Sequence, residues 1–186
     1  MRIYIVLLFS VFPLLSANDI AQFRLDDYRD FMNKISSKPK IVQIEQVNAY
    51  FNRIVNDYDT HIWGQEDYWA TPKEFIVRGG GDCEDFVFAK YFTLKALGFA
   101  PSSMMIYIVK VHSERDFHAV LGVRNDRNET LILDNLSWKV LPIQKRTDLH
   151  ILYDLNDPRL SKATDPLTRH IVASYRNLLQ KIDNGQ

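Results

Sequence analysis

The stretch from Cys83 to Leu97 constrains the fold more than any other part of the chain. Phe86, Val87, Phe88, Ala89, Tyr91, Phe92, Leu94, Ala96 and Leu97 leave only Lys90, Thr93 and Lys95 as polar interruptions after the first turn. A helix apolar on nearly every side must be covered on most of them, so this segment is expected at the centre of the molecule. Asp82 stands where an N-cap is favoured, and Gly98 where a helix ends in the left-handed conformation. Cys83, the single cysteine of the chain, therefore opens the central helix.

The flanking segments change period around it. Asp19 to Ile35 predicts a first helix, ended by Ser36-Ser37-Lys38-Pro39. Ile41, Ile44, Val47, Tyr50, Phe51, Ile54 and Val55 recur at three- and four-residue steps and predict a second. Asn56 to Thr71, polar and aromatic together, reads as a structured loop, and Pro72 opens a short helical turn that stops at Gly79-Gly80-Gly81. Beyond Pro101, the segments Met104 to Val111, Phe117 to Arg124 and Thr130 to Asp134 are β-branched or aromatic-rich and read as strands, with Leu149 to Leu155 a further one. Asp165-Pro166 caps a last helix with Leu167, Ile171, Val172, Tyr175, Leu178, Leu179 and Ile182 on one face. Helices, then an antiparallel sheet, then a helix: the class is α+β, with helices at both ends, and 186 residues suit one domain.

Charge and targeting narrow the setting. Lys+Arg 23 against Asp+Glu 23, with no basic stripe, removes the footprint of a nucleic-acid binder. Residues 1–17 combine Arg2, an apolar run from Ile3 to Leu15 and the small pair Ser16-Ala17. That run is shorter than the ~20 residues a bilayer span needs, so it reads as a secretory signal peptide ahead of one domain at 18–186. In an exported protein a lone thiol is open to oxidation, and no intramolecular disulfide is available to it. Cys83 is either a buried small hydrophobe or a reactive group, and its neighbours favour the second.

A cysteine attacks as its thiolate, and a helix N-terminus and a nearby imidazole are the two devices that favour that form. Cys83 has the first by position, and Gly79-Gly80-Gly81 adds a segment without side chains through which a substrate backbone could approach the sulfur. For the second, His61, His150 and His170 fall in the polar loop and late in the chain, whereas His112 and His118 lie in the strand region. A hairpin loop of three or five residues centred on Asp126 sets His118 directly opposite Asp134, Cβ atoms ~5 Å apart. Asp134 can then hold one imidazole nitrogen while the other faces Cys83, the logic of a catalytic triad. His112 has no such acid in view. Asp82, Glu84 and Asp85 crowd the cysteine with carboxylates, which oppose a thiolate. They are either helix-capping acids, at ~0.3–1 kcal/mol each, or oxygen ligands for a hard cation such as Ca²⁺. Trp63 and Trp69 are open between oxyanion donors and wall aromatics.

Trp63-Gly64, Asp67-Tyr68-Trp69-Ala70-Thr71-Pro72, Gly79-Gly80-Gly81-Asp82-Cys83-Glu84-Asp85 and Asp134-Asn135-Leu136 together resemble the bacterial transglutaminase-like cysteine peptidases, from about Ile41 to Tyr153. The resemblance implies a papain/transglutaminase-like core, with Cys83 as nucleophile, His118 as general base and Asp134 as the residue that orients it. It implies calcium dependence through Asp82 and Glu84, with Asp85 beside them. It further implies a periplasmic endopeptidase that cuts the N-terminal region of a large surface adhesin at a small-residue Ala-Ala site, freeing the adhesin and promoting biofilm dispersal. The implied regulator is the periplasmic domain of an inner-membrane cyclic-di-GMP receptor. Two other readings stay open on the residues: acyl transfer to an amine, as in a transglutaminase, and a calcium-stabilised binding module that does not turn over.

Overall fold

A computed structural model of the chain describes residues 16–112 and 117–185, so the signal-peptide reading of residues 1–17 lies almost wholly outside the described residues. Helix α1 (Ala17–Ile35) starts two residues before the expected Asp19, because Ser16 and Asp19 form a reciprocal capping box. The expected processing point after Ala17 thus falls within its first turn. Helix α2 (Lys40–Phe51) turns Ile44, Val47 and Phe51 into the core, while Ile41 stays exposed and Val55 lies past the helix. Among the described residues no helix is long and apolar enough to cross a membrane.

The segment read as a loop is more ordered than its composition suggests. Val55–Asn56 is a short strand, β1, followed by a single helical turn, α3 (Asp59–Ile62). Helix α4 (Pro72–Arg78) starts on a Thr71/Glu74 capping box and stops at Gly79, whose φ of 73° suits glycine. Arg24 of α1 donates from Nη1 to the Val77 and Arg78 carbonyls, both at 2.6 Å, and so caps α4 with a cation. Gly80–Gly81 then forms β2, paired in parallel with β1.

Helix α5 (Cys83–Ala96) is the central element, with every residue from Asp85 to Tyr91 buried. It packs on a five-stranded antiparallel sheet made of β3 (Met104–Val111), β4 (Phe117–Arg124), β5 (Thr130–Asp134), β6 (Ser137–Pro142) and β7 (Leu149–Asp154), in the order β6-β5-β4-β3-β7. Phe86, Phe88 and Leu94 share the main core with Ile106, Ala119, Leu121 and Leu133, while Val109, Val120 and Ile132 form a smaller cluster of their own. This is the expected α+β class with the cysteine at the N-terminus of the central helix. Strand β6 was not anticipated: it follows Asp134-Asn135 without a glycine, sits at the sheet edge and ends on a proline. Helix α6 (Pro166–Asp183), capped by Asp165, buries Ile171 and Leu178 and stacks Tyr175 on Phe88 with ring centroids 5.5 Å apart.

Candidate active site

Asp82 occupies the N-cap position of α5, yet its side chain accepts no capping hydrogen bond. Cys83, the first residue of the helix, is half-buried. Its Sγ donates to Glu84 Oε2 at 2.9 Å and accepts the backbone N–H of Ala119 from β4. Desolvation, and after it the charges of Glu84 and Asp82, push the thiol well above its ordinary value; the Ala119 N–H pulls weakly the other way.

His118 and Asp134 meet. His118 Nε2 lies 2.9 Å from Asp134 Oδ1, and both side chains are buried. The register differs from the expected one: Leu121 pairs with Leu133 and Arg124 with Thr130, around a five-residue turn centred on Arg127 rather than Asp126. A two-residue shift preserves parity, so the two side chains stay on one face and meet diagonally instead of directly. Asp134 Oδ1 also accepts the Leu136 N–H at 2.8 Å, and Oδ2 accepts Arg146 Nη2 at 2.7 Å. Burial works to raise the Asp134 carboxyl, but the His118, Leu136 and Arg146 contacts outweigh it and hold the group at about 2. With Nε2 engaged, Nδ1 is the ring nitrogen that Asp134 leaves unbonded. His112, by contrast, is exposed at the end of β3, and His61 and His170 pair with Asp57 and Asp67.

A buried polar network fixes the backbone of Asp134. Lys90, fully buried two turns after Cys83, donates to Asn48 Oδ1 (2.9 Å) and Asn52 Oδ1 (2.8 Å). Those contacts point both amide NH₂ groups outward: Asn52 Nδ2 donates to the Asp134 carbonyl (2.8 Å) and Asn48 Nδ2 to the Ser137 carbonyl (2.9 Å). Asp134 N returns a bond to Asn48 Oδ1 at 3.2 Å. The helix that carries the cysteine is thereby tied to the turn that carries the acid. Burial pushes the Lys90 ammonium down to about 7, against the pull of Asp134. Sequence reading noted Lys90 only as a polar interruption of the central helix, and Arg146, Asn48 and Asn52 drew no attention, because no spacing rule joins them.

The acids near the cysteine divide into two groups. Carboxylate oxygens of Asp59, Asp82 and Asp85 lie within 4.8 Å of one another. Glu84 turns to the sulfur instead. Asp59, 23 residues before Asp82 on the other side of the glycine segment, has no sequence spacing that marks it. Asp85 accepts Ala70 N at 2.7 Å and Trp63 Nε1 at 3.3 Å, and Asp59 accepts the Tyr68 N–H. Asp59 Oδ1 is buried without a donor. Desolvation, and after it the charges of neighbouring acids including Glu84, push Asp59 to about 6, Asp82 to about 10 and Asp85 well above its usual range. An orphaned oxygen among three crowded carboxylates is the donor set of a hard divalent cation, so these residues fit calcium. The indole of Trp69 donates to Asp67 at 2.9 Å, so neither Trp63 nor Trp69 holds its N–H free for an oxyanion.

The glycines serve this acid cluster. A Cβ on Gly81 would lie 2.3 Å from Asp85 Oδ2 and 2.9 Å from the Phe75 ring, and one on Gly80 would lie 2.7 Å from Ile62. Both residues are buried. Their lack of side chains admits Asp85 and α3, rather than opening a path for substrate to the sulfur as expected.

Two concavities adjoin at Cys83, Glu84, Phe117 and His118. The larger, about 510 Å³, runs past Tyr58, Asp82, Asn135 and Leu136. The smaller, about 220 Å³, runs towards α6. A helix-opening cysteine and a strand histidine held by a buried aspartate line a shared cleft on an α+β core of transglutaminase-like fold.

The sequence places it further. The profile of the family described as bacterial transglutaminase-like cysteine proteinase matches residues 26–154, and the chain belongs to that family. Legionella pneumophila LapG in its calcium-bound form is 35% identical over 77% of this chain and 85% of that one, with a TM-score of 0.66. Its EGTA-treated form gives 34% identity over 78% and 84%, at 0.63. A further LapG structure from the same organism aligns over 91% of this chain and 98% of that one, at 29% identity and 0.69. No curated protein sequence matches the chain.

Proposed function

We propose that the chain is an exported, calcium-dependent cysteine endopeptidase with Cys83 as nucleophile, His118 as general base and Asp134 as its orienting acid. The observation that carries this reading is the buried 2.9 Å contact between His118 Nε2 and Asp134 Oδ1, made by a histidine that shares its cleft with Cys83. Asp134 fixes the tautomer that leaves Nδ1 to take the thiol proton. The thiolate attacks the scissile carbonyl, and the imidazolium returns the proton to the leaving amine. The backbone N–H of Cys83, in the first turn of α5 where no intrahelical acceptor exists, is placed to receive the oxyanion. Water then hydrolyses the thioester with His118 again as base.

Asp59, Asp82 and Asp85 are the residues that hold calcium on this reading. A bound Ca²⁺ supplies the positive charge that offsets the carboxylates opposing the Cys83 thiolate. Likeness to a LapG described as calcium-bound supports the choice of ion. The adhesin substrate, the cyclic-di-GMP receptor as regulator and the periplasmic setting rest on the family resemblance, and the small residues at Ser16-Ala17 support export. The test is cleavage of an adhesin N-terminal fragment with calcium and with a chelator, beside Cys83→Ala. Cleavage that requires both the ion and the thiol supports the reading. Cleavage indifferent to Cys83 refutes it, and incorporation of an added amine in place of hydrolysis would favour acyl transfer.

A further inference from the structure

Asp134 is gripped from two sides. Its Oδ1 meets His118 Nε2 and the Leu136 N–H, while Oδ2 meets Arg146 Nη2 at 2.7 Å. Arg146 lies in the connection between β6 and β7, the two edge strands of the sheet. Asp148 braces the guanidinium in turn, accepting Nε at 2.9 and 3.2 Å and Nη2 at 2.7 Å. Arg146 and Asp134 are buried, whereas Asp148 is exposed. A guanidinium is planar and keeps its charge, so the braced fork presents one fixed cationic donor to Oδ2. Arg146 lines neither concavity at Cys83; it lies against another, walled by Val111, Leu141, Lys145 and Asp148. Any influence it has on the reaction therefore passes through Asp134.

We propose that Arg146, braced by Asp148, is a positioning residue that selects the tautomer of His118 through Asp134. This deepens the peptidase reading and rests on it. A buried carboxyl with no cation in contact favours its protonated form, and a protonated Asp134 would donate to Nε2 and drive the ring proton to Nδ1. The nitrogen needed as base would then be blocked. The guanidinium keeps Asp134 an anion, which can only accept, so the ring proton stays on Nε2. The two oxygens of a carboxylate are equivalent, and the preference of Arg146 is hidden in the parent. In Asp134→Asn it is exposed. A charged donor outweighs the neutral Leu136 N–H by roughly twofold, so the amide oxygen turns to Arg146 and the NH₂ to His118. The backbone at Arg146 is secured without its side chain: its N–H donates to the Ile143 carbonyl at 3.0 Å, and its carbonyl accepts Leu149 N at 3.1 Å.

The experiment compares the calcium-loaded parent with Asp134→Asn, Arg146→Gln and the double variant Asp134→Asn/Arg146→Gln. It reads kcat and KM on an adhesin N-terminal fragment, and the His118 tautomer by heteronuclear NMR, with signals assigned by their loss in His118→Gln. Arg146→Gln alone should lower kcat by about 10-fold with KM unchanged, and Arg146→Lys, which keeps the charge, should recover part of the loss. Asp134→Asn should move the ring proton from Nε2 to Nδ1. In the double variant the amide is released from the guanidinium: its oxygen turns to His118 and Leu136, and its NH₂ to the introduced side-chain carbonyl. The double variant should therefore restore the Nε2 proton and exceed Asp134→Asn in kcat by about 10-fold, within the coupling seen between contacting groups. Losses that simply add, with the Nδ1 proton retained in the double variant, make Arg146 a structural ion pair and overturn the inference. Thermal unfolding verifies folding. Should Arg146→Gln not fold, Asp148→Asn loosens the same clamp from an exposed position, and no return of the Nε2 proton in Asp134→Asn/Asp148→Asn overturns the inference equally. A folded parent that cuts no fragment overturns the peptidase reading, and the tautomer still decides the role of Arg146.

Discussion

Replacing Lys90 with methionine separates what the buried ammonium does to stability from what it does to the site. Burial lowers its pKa from 10.5 to about 7, a difference equivalent to about 5 kcal/mol against the charged form. At pH 6 the folded protein carries that cost in full. Lys90→Met removes it but leaves Asn52 Oδ1 without a donor, while Asn48 Oδ1 keeps only the Asp134 N–H. Losing two charge-assisted bonds, at roughly 1.5–3 kcal/mol each, offsets most of the gain, so the two proteins should be nearly equally stable at pH 6. Between about pH 7 and 10.5 the unfolded chain binds the proton that the folded one has released, so parental stability rises with pH relative to the variant. The neutral amine still has two N–H groups for the two amide oxygens. Urea denaturation followed by tryptophan fluorescence should therefore show the parent gaining about 3 kcal/mol on Lys90→Met between pH 6 and 9.5. Catalysis should fall at every pH, by 10- to 100-fold in kcat/KM, because the amides that hold the Asp134 carbonyl are free to turn. A parent–variant gap that is flat with pH, or a variant with full activity, would refute the account.

Asp134→Asn should cost about 10⁴-fold in kcat by presenting an amide to the wrong imidazole tautomer. It should also abolish the acid-side loss of stability, about 2 kcal/mol between pH 4 and 2, that the depressed Asp134 carboxyl gives the parent; acid titration of both proteins by circular dichroism measures it. Calcium at a hundred times its dissociation constant should stabilise the parent by about 2.7 kcal/mol, read as a rise in Tm that a chelator reverses and that Asp59→Asn loses. Gly81→Ala should destabilise the protein by about 1–3 kcal/mol and weaken calcium binding in calorimetry, since its methyl group lies where the Asp85 carboxylate stands.

What could be read from the sequence was what local pattern encodes. The all-round apolar helix from Cys83, its flanking cap and glycine, and the β-branched and aromatic-rich strands after Pro101 needed only composition, period and turn residues. His118 and Asp134 could be paired because parity survives a two-residue error in the turn: the centre moved from Asp126 to Arg127, and the side chains stayed on one face. Asp59, Arg146 and the Asn48–Asn52–Lys90 network are different in kind. Each reaches the site from an element distant in sequence, through a contact that exists only after α2, α3 and the β5–β6 turn have packed around α5. Lysine is rarely buried, and the burial of Lys90 is made tolerable by amide oxygens of Asn48, in another helix, and Asn52, at its end. The glycines showed the same limit, since what a missing side chain makes room for is set by tertiary packing.

The acids around Cys83 place the helix terminus and the thiol in opposition. A helix N-terminus favours an anion by about 0.3–1 kcal/mol, and by about 2 at most in a partly buried setting. One carboxylate a few ångströms away opposes it by about 4 kcal/mol at an effective dielectric constant near 20. Burial, and after it Glu84 on the sulfur itself and the neighbouring Asp82, prevail over the helix terminus and hold the thiol well above its ordinary value. Burial first, and after it the charges of neighbouring acids, raise Asp59, Asp82 and Asp85. Protons relieve this only by neutralising the acids one at a time, whereas a divalent cation takes all three as ligands and releases whatever protons they held. On the proposed reading, calcium affinity should therefore strengthen as pH rises through the range where these groups titrate. The alkylation rate of Cys83 should rise with calcium occupancy, since the thiolate and the ion are favoured by the same rearrangement of charge.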